Sequence, residues 1–220
     1  GMMVLHRKSG YIEYYNRHNS NLPSNNIYSI ISDGYGGLWV ASLEYLLHFD
    51  IDKRNFTIVD VDEDGHKLQQ YNRLLFCDSK KRIWAGGEMG ISVFNQVGTS
   101  LLPNTDFQIA SVLKQAFVNC FYETSSGYLW IGTRNGLFAL KESDKQFLQY
   151  TTENGLPSNV IYGILEDAYG RLWISTNQGL SCLNPESGKF RNFTIMDGLQ
   201  GNQFNAGAYC RKDNGYMLFG

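Results

Sequence analysis

The stretch Gly127-Tyr128-Leu129-Trp130-Ile131-Gly132-Thr133-Arg134-Asn135-Gly136-Leu137 decides the fold, because the chain says it again. Gly170-Arg171-Leu172-Trp173-Ile174-Ser175-Thr176-Asn177-Gln178-Gly179-Leu180 is a close copy. Looser copies run from Gly36 to Leu46 around Trp39 and from Lys81 to Ile91 around Trp84. The four tryptophans, Trp39, Trp84, Trp130 and Trp173, are all those in the chain, and they fall 45, 46 and 43 residues apart. A fifth copy, Gly215–Gly220, ends the chain with Leu218 at the tryptophan position. A period of about 40–50 residues that carries several short strands is the signature of a propeller blade.

Working outward, each tryptophan segment is preceded by a polar hairpin, such as Asp78-Ser79-Lys80-Lys81 or Asp167-Ala168-Tyr169-Gly170, and before that by a short apolar run. It is followed by a glycine-containing loop, a third strand (Leu46–Asp50, Ile91–Asn95, Leu137–Lys141, Leu180–Asn184) and an outer strand such as Phe190–Thr194. Four short antiparallel strands per repeat make one blade. The chain is therefore expected to be all-β, a β-propeller of about five repeats. Their bounds are about 17–60, 61–110, 111–151 and 152–195, with a split repeat of 196–220 plus 2–16. The second is the least regular, its outer strand near Leu101–Phe107 being poorly patterned. Met2–His6 and Tyr11–Tyr15 supply third and fourth strands, and Phe204–Gly220 supplies first and second. Joining the two ends in one sheet would close a five-bladed ring and hide two edges; the alternative is an arc of a larger ring. A large ring at one position of every blade is expected to fill the wedge between neighbouring sheets, so replacing one by alanine should cost roughly 3–5 kcal/mol.

With 220 residues, 43% of them hydrophobic, the chain can bury a sizeable core. A formal net charge of −2 and the lack of a basic stripe argue against nucleic acid as a partner. No apolar run is long enough for a membrane helix, and Gly1–Arg7 is too short and polar to read as a signal peptide. The four cysteines, Cys77, Cys120, Cys182 and Cys210, are dispersed without a C-x-x-C pair, which argues against zinc. Three of them lie in one strand position of different repeats and read as small buried hydrophobes. Asp60-Val61-Asp62-Glu63-Asp64-Gly65 imitates the start of an EF-hand loop, but Tyr71 stands where the closing Glu belongs. No metal and no cofactor are expected.

Catalysis finds little support. His6, His18, His48 and His66 occupy unrelated repeat positions, and no nucleophile, zinc or phosphate motif occurs. What remains is a binding face. The loops between second and third strands should share one end of the central channel with the loops that join each outer strand to the next inner strand. There the repeats diverge while the framework does not. Those loops hold Glu44-Tyr45, Glu88-Met89, Arg134-Asn135 and Asn177-Gln178, and the innermost strands carry Tyr28, Arg73, Asn119 and Tyr162 at one shared position. Amides, one or two cations and aromatic rings suit a sugar, and Arg73, Asn119, Arg134, Asn135, Tyr162 and Asn177 are the expected ligand-binding set.

The pattern Asn-Gly-Leu-Pro-Ser-Asn…Ile…Asp-x-x-Gly-x-Leu-Trp-Ile-Gly-Thr-x-x-Gly-Leu, carried almost whole by Glu153–Leu180, closely resembles the two-component regulator propeller repeat. The resemblance extends over essentially the entire chain. It implies a sensor: in that family such propellers form the periplasmic part of hybrid histidine kinases of gut Bacteroidetes and detect oligosaccharides. An oligosaccharide or other small ligand, a homodimer and a periplasmic location are the expectations it adds. A protein-interaction scaffold and a propeller lyase, such as those that inactivate streptogramins, are the alternatives.

Overall fold

The computed structural model describes residues 1–42, 44–59, 72–104, 111–141 and 146–220. They fold into two compact units, residues 1–109 and 110–220. In the first unit β1 (Met2–Leu5) pairs with β2 (Ile12–Tyr15). One four-stranded antiparallel sheet follows, from β3 (Ile27–Ser32), β4 (Gly37–Ser42), β5 (Leu46–Asp50) and β6 (Asn55–Ile58). The next is built in the same order from β7 (Asn72–Cys77), β8 (Arg82–Gly87), β9 (Gly90–Val97) and β10 (Ser100–Pro103). In the second unit β11 (Val118–Glu123), β12 (Tyr128–Thr133), β13 (Gly136–Lys141) and β14 (Gln146–Tyr150) form a blade. So do β15 (Ile161–Glu166), β16 (Leu172–Thr176), β17 (Gly179–Asn184) and β18 (Lys189–Phe193). β19 (Tyr209–Arg211) pairs with β20 (Met217–Phe219). The helical elements among the described residues are single 3-10 turns.

The chain is thus all-β and made of propeller blades, as the repeat register predicts. The joining of both ends into one blade is not: β1–β2 and β19–β20 are separate two-stranded sheets. The physical argument from hidden edges does not by itself bring two strand pairs together. The irregular outer strand of the second repeat is the short β10, and residues 105–110 beyond it lie outside the described residues, as does the Asp60–Gly65 loop.

Turns between repeats explain the recurring Asn-Gly-Leu-Pro-Ser-Asn. The first Asn reaches back to cap the chain: Thr151 N–H donates to Asn154 Oδ1 at 2.9 Å, and Asn16 and Thr194 do the same to Asn19 and Asp197. The last Asn accepts from the start of the same turn, Asn159 Oδ1 from Thr152 N–H at 2.8 Å and Asn25 Oδ1 from Arg17 N–H at 2.9 Å. Side-chain amides here replace the backbone partners that a tight turn leaves out.

Trp84 and Trp173 are placed by their hairpins. Asp78 Oδ1 accepts the backbone N–H of Lys80 and Arg82, while its Oδ2 accepts Arg82 Nε at 2.6 Å and Trp84 Nε1 at 2.8 Å. Asp167 repeats this with Tyr169, Arg171 and Trp173. The spacing Asp-x-x-x-Arg-x-Trp is therefore one hydrogen-bonded hub. In the first repeat Gly37 stands at the arginine position and His48, from the third strand, bonds Asp33 instead. Trp39 donates across to Gln96 of the next blade at 3.2 Å. In the third repeat Thr124 and Tyr128 stand for Asp and Arg, and Trp130 Nε1 is buried with no hydrogen-bond partner among the described residues.

Packing follows the expectation for three tryptophans. Trp39 and Trp84 are fully buried and Trp130 nearly so, Trp39 lying against Phe94 and Leu101 of the neighbouring blade. Trp173 departs from it, being only half-buried and stacked on Phe193 at 5.4 Å. The sheet that follows its blade, β19–β20, has two strands where the complete blades have four. The cysteines depart too. Cys120 and Cys182 are buried, but Cys77 is half-buried and Cys210 exposed. Cys77, Cys120 and Cys210 share the first strand yet face different register partners, Ile83, Gly132 and Leu218, so they were not one packing position.

Candidate functional site

The innermost strand of every complete blade carries the same irregularity. Its ladder with the second strand shifts between Ile27 and Ser29, between Asn72 and Leu74, between Val118 and Cys120, and between Ile161 and Gly163. The residues skipped are Tyr28, Arg73, Asn119 and Tyr162, the shared position at which the repeats diverge. A β-bulge leaves one residue out of the ladder and re-aims its side chain. The scaffold thus presents a variable side chain at one fixed place in each blade.

Four residues after each tryptophan comes the loop residue at the same end. In the second unit its N–H is tied to the chain just before the inner strand: Arg134 N–H donates to Phe117 O at 3.0 Å and Asn177 N–H to Val160 O at 3.2 Å. The same segment holds the neighbouring loop, since Gly136 N–H donates to Asn159 O at 2.8 Å. Residues 159–162 therefore act as a spine between loops 133–136 and 176–179. Gly132 makes this approach feasible: a Cβ there would stand 2.7 Å from Ile161 Cγ2 and 2.3 Å from Cys120 Sγ.

On that spine the expected residues of the second unit gather. Tyr162 OH lies 3.4 Å from Asn177 Oδ1, both half-buried. Asn119 Nδ2 donates to Ile161 O at 2.7 Å, one residue from Tyr162, so this amide also joins two blades. The Arg134 guanidinium lies 3.7 Å above the Phe117 ring, a cation–π stack that fixes an otherwise exposed side chain. Asn135 is exposed; its N–H is held by Thr133 Oγ1 at 2.9 Å and its carbonyl accepts from Gln149 Nε2 at 3.0 Å.

Arg73 belongs to the first unit and is described with its own neighbours. Its guanidinium pairs with Glu88 at 2.5 Å and lies 5.0 Å over the Tyr28 ring. Bulge residue and loop residue thus meet across one blade in both units, as Arg73–Glu88 and as Tyr162–Asn177. The sequence reading missed Phe117. Aligning the repeats two residues before the bulge gives Asn26, Tyr71, Phe117 and Val160, a divergent position that could have raised it.

Elsewhere, a cavity of about 440 Å³ in the first unit lies at the outer strands, lined by His48, Asp50, Lys53, Thr57, Thr99 and Ser100. Among the described residues no group of three or more His, Cys, Asp or Glu could hold a metal ion. No helix among them is long and apolar enough to cross a membrane.

Repeating four-stranded antiparallel blades with one divergent end define a β-propeller. Three segments, residues 21–44, 113–135 and 155–178, match the two-component regulator propeller repeat. The extracellular domain of a hybrid two-component system of B. thetaiotaomicron aligns over 95% of this chain and 29% of its own at 22% identity, with a TM-score of 0.75. A second such domain from that organism aligns over 100% and 28% at 18% identity, with a TM-score of 0.77. Virginiamycin B lyase from Staphylococcus aureus aligns over 88% and 62% at 15% identity, with a TM-score of 0.63. The chain spans less than a third of the two extracellular domains, and these likenesses concern the fold. No curated protein matches the chain.

Proposed function

We propose that this chain is a non-catalytic sensor propeller, placed outside the cytoplasm, that recognises an oligosaccharide at the end of its blades where Arg134, Asn135, Asn119, Tyr162 and Asn177 converge. The carrying observation is the conjunction of bulge and loop: Tyr162 and Asn177 meet 3.4 Å apart on a spine that also holds the Arg134–Asn135 loop. Half-buried aromatic and amide groups on a rigid sheet offer what a sugar needs, an apolar ring face and paired donors and acceptors. The regulator propeller repeats and the extracellular neighbours support a role in signal detection. Arg73, with Tyr28 and Glu88, offers a second cluster of the same design in the first unit.

The test is a thermal-shift screen of oligosaccharides against the intact chain. Arg134→Ala with Asn135→Ala should change the melting free energy by no more than ~0.5 kcal/mol, as exposed loop residues do. The same pair should abolish the shift caused by whichever sugar raises the parent's Tm. Retained binding would move the site to the opposite face, and turnover of the bound sugar would replace the sensor reading with a lyase.

A further inference from the structure

Four of the nine arginines of this chain are ion-paired among the described residues. Arg54 pairs with Glu13 at 2.9 Å, Arg73 with Glu88, Arg82 with Asp78 and Arg171 with Asp167. Arg134 is not one of them. It sits at the repeat position that carries Glu88 in the second blade and Asn177 in the fourth, and no carboxylate lies within ion-pair distance of it among the described residues. Its partner is the Phe117 ring, 3.7 Å from the guanidinium carbon, and its own N–H is bonded to Phe117 O. The stack covers one face of the guanidinium and leaves the N–H edges, which are what bind a carboxylate in two-pronged fashion.

Preorganisation matters to what this group can do. A free arginine side chain loses rotamer entropy when it grips a ligand, whereas one already stacked and tethered loses little. The other residues of the proposed site carry no charge: Asn119, Asn135, Tyr162 and Asn177 are neutral groups, and the amide oxygen of Asn177 with the Tyr162 phenol suits hydroxyls. One fixed cation beside neutral hydrogen-bonding groups matches a ligand with one carboxylate among many hydroxyls.

We infer that the sugar taken by this site is acidic, an oligosaccharide containing a uronic acid or similar sugar acid, with its carboxylate on Arg134 and its hydroxyls toward Tyr162 and Asn177. This rests on the oligosaccharide reading above and narrows it. Phosphate and sulfate esters fit less well, since one arginine without a second cation or a cradle of backbone N–H groups is a sparse site for a multiply charged anion.

The experiment titrates the intact chain with matched pairs: oligogalacturonates and glucuronate-containing disaccharides, each beside its carboxyl-reduced neutral form. The acidic member of at least one pair should bind, its neutral form about tenfold or more weakly, and added salt should narrow the difference. Arg134→Gln should remove the preference while leaving Tm in place, and Arg134→Lys, which keeps the charge but loses the fork and the stack, should restore only part of it. Binding of neutral sugars with no dependence on Arg134 overturns the inference and leaves the oligosaccharide reading standing. If no sugar of either kind binds, the oligosaccharide reading falls and the inference falls with it.

Discussion

His48 Nε2 and Asp33 Oδ2 lie 2.8 Å apart, both buried, at the place where the second and fourth repeats put an arginine on their hairpin aspartate. Gly37 clears the space, since a Cβ there would stand 2.6 Å from His48 Nε2. A third-strand histidine has thus taken over the work of a second-strand arginine. The neighbours decide the charge of the aspartate. Burial opposes ionisation of Asp33, but the hydrogen bonds from His48 and from the N–H groups of Tyr35 and Gly37 outweigh it and hold the carboxyl below its ordinary value. Asp167 is held down in the same way, against burial, by Trp173 and Arg171.

A carboxyl with a lowered folded pKa stabilises the fold above its unfolded pKa, and that contribution is lost as pH falls through the folded value. Acid should therefore destabilise the chain at pH below the ordinary aspartate value of 3.8. Calorimetry from neutral to about pH 2 should show a flatter fall in Tm for Asp33→Asn than for the parent. Equal slopes would mean that Asp33 is not among the groups governing acid unfolding.

Trp130 Nε1 has no partner among the described residues, and Thr124 stands where the other complete blades carry aspartate. An unmade buried hydrogen bond costs about 1–3 kcal/mol. Grafting the hub by Thr124→Asp with Tyr128→Arg should recover about 1 kcal/mol of it, read by urea unfolding. A lower midpoint would show that the packing of Tyr128 on Trp130 and Lys141 matters more.

The tryptophans should not be equal. Trp84→Ala empties a fully buried site and should cost about 3–5 kcal/mol, whereas Trp173→Ala, at a half-buried ring, should cost less than that. Matched denaturation curves compare them directly, and equal losses would contradict the burial difference.

Gly132 holds the candidate site together by being small. Gly132→Ala would press on Cys120 and Ile161 and should cost about 1–3 kcal/mol, as overpacking does. Asn119→Ala should cost about 1 kcal/mol through its lost bond to Ile161 O. Both variants should also weaken sugar binding, because both move the strand that carries Tyr162. Binding unchanged in a destabilised Gly132→Ala would uncouple strand position from the site.

The repeat made much of this legible in the residues alone. Strand order, the place of the tryptophans and the divergence at Tyr28, Arg73, Asn119 and Tyr162 all follow from local pattern, because turns and strand periodicity are set by near neighbours in sequence. Side-chain pairings between strands were decided elsewhere. That Arg73 meets Glu88 while Arg134 lies on Phe117, that His48 replaces an arginine at Asp33, and that Trp173 is left half-covered depend on side chains brought together from different strands. The same holds for the bulge, which a one-residue shift in the ladder creates and no periodicity announces. Nor could complementary halves at the two ends say whether they would share a sheet; β1–β2 and β19–β20 are separate because strand pairing is a long-range contact that local pattern permits but does not select.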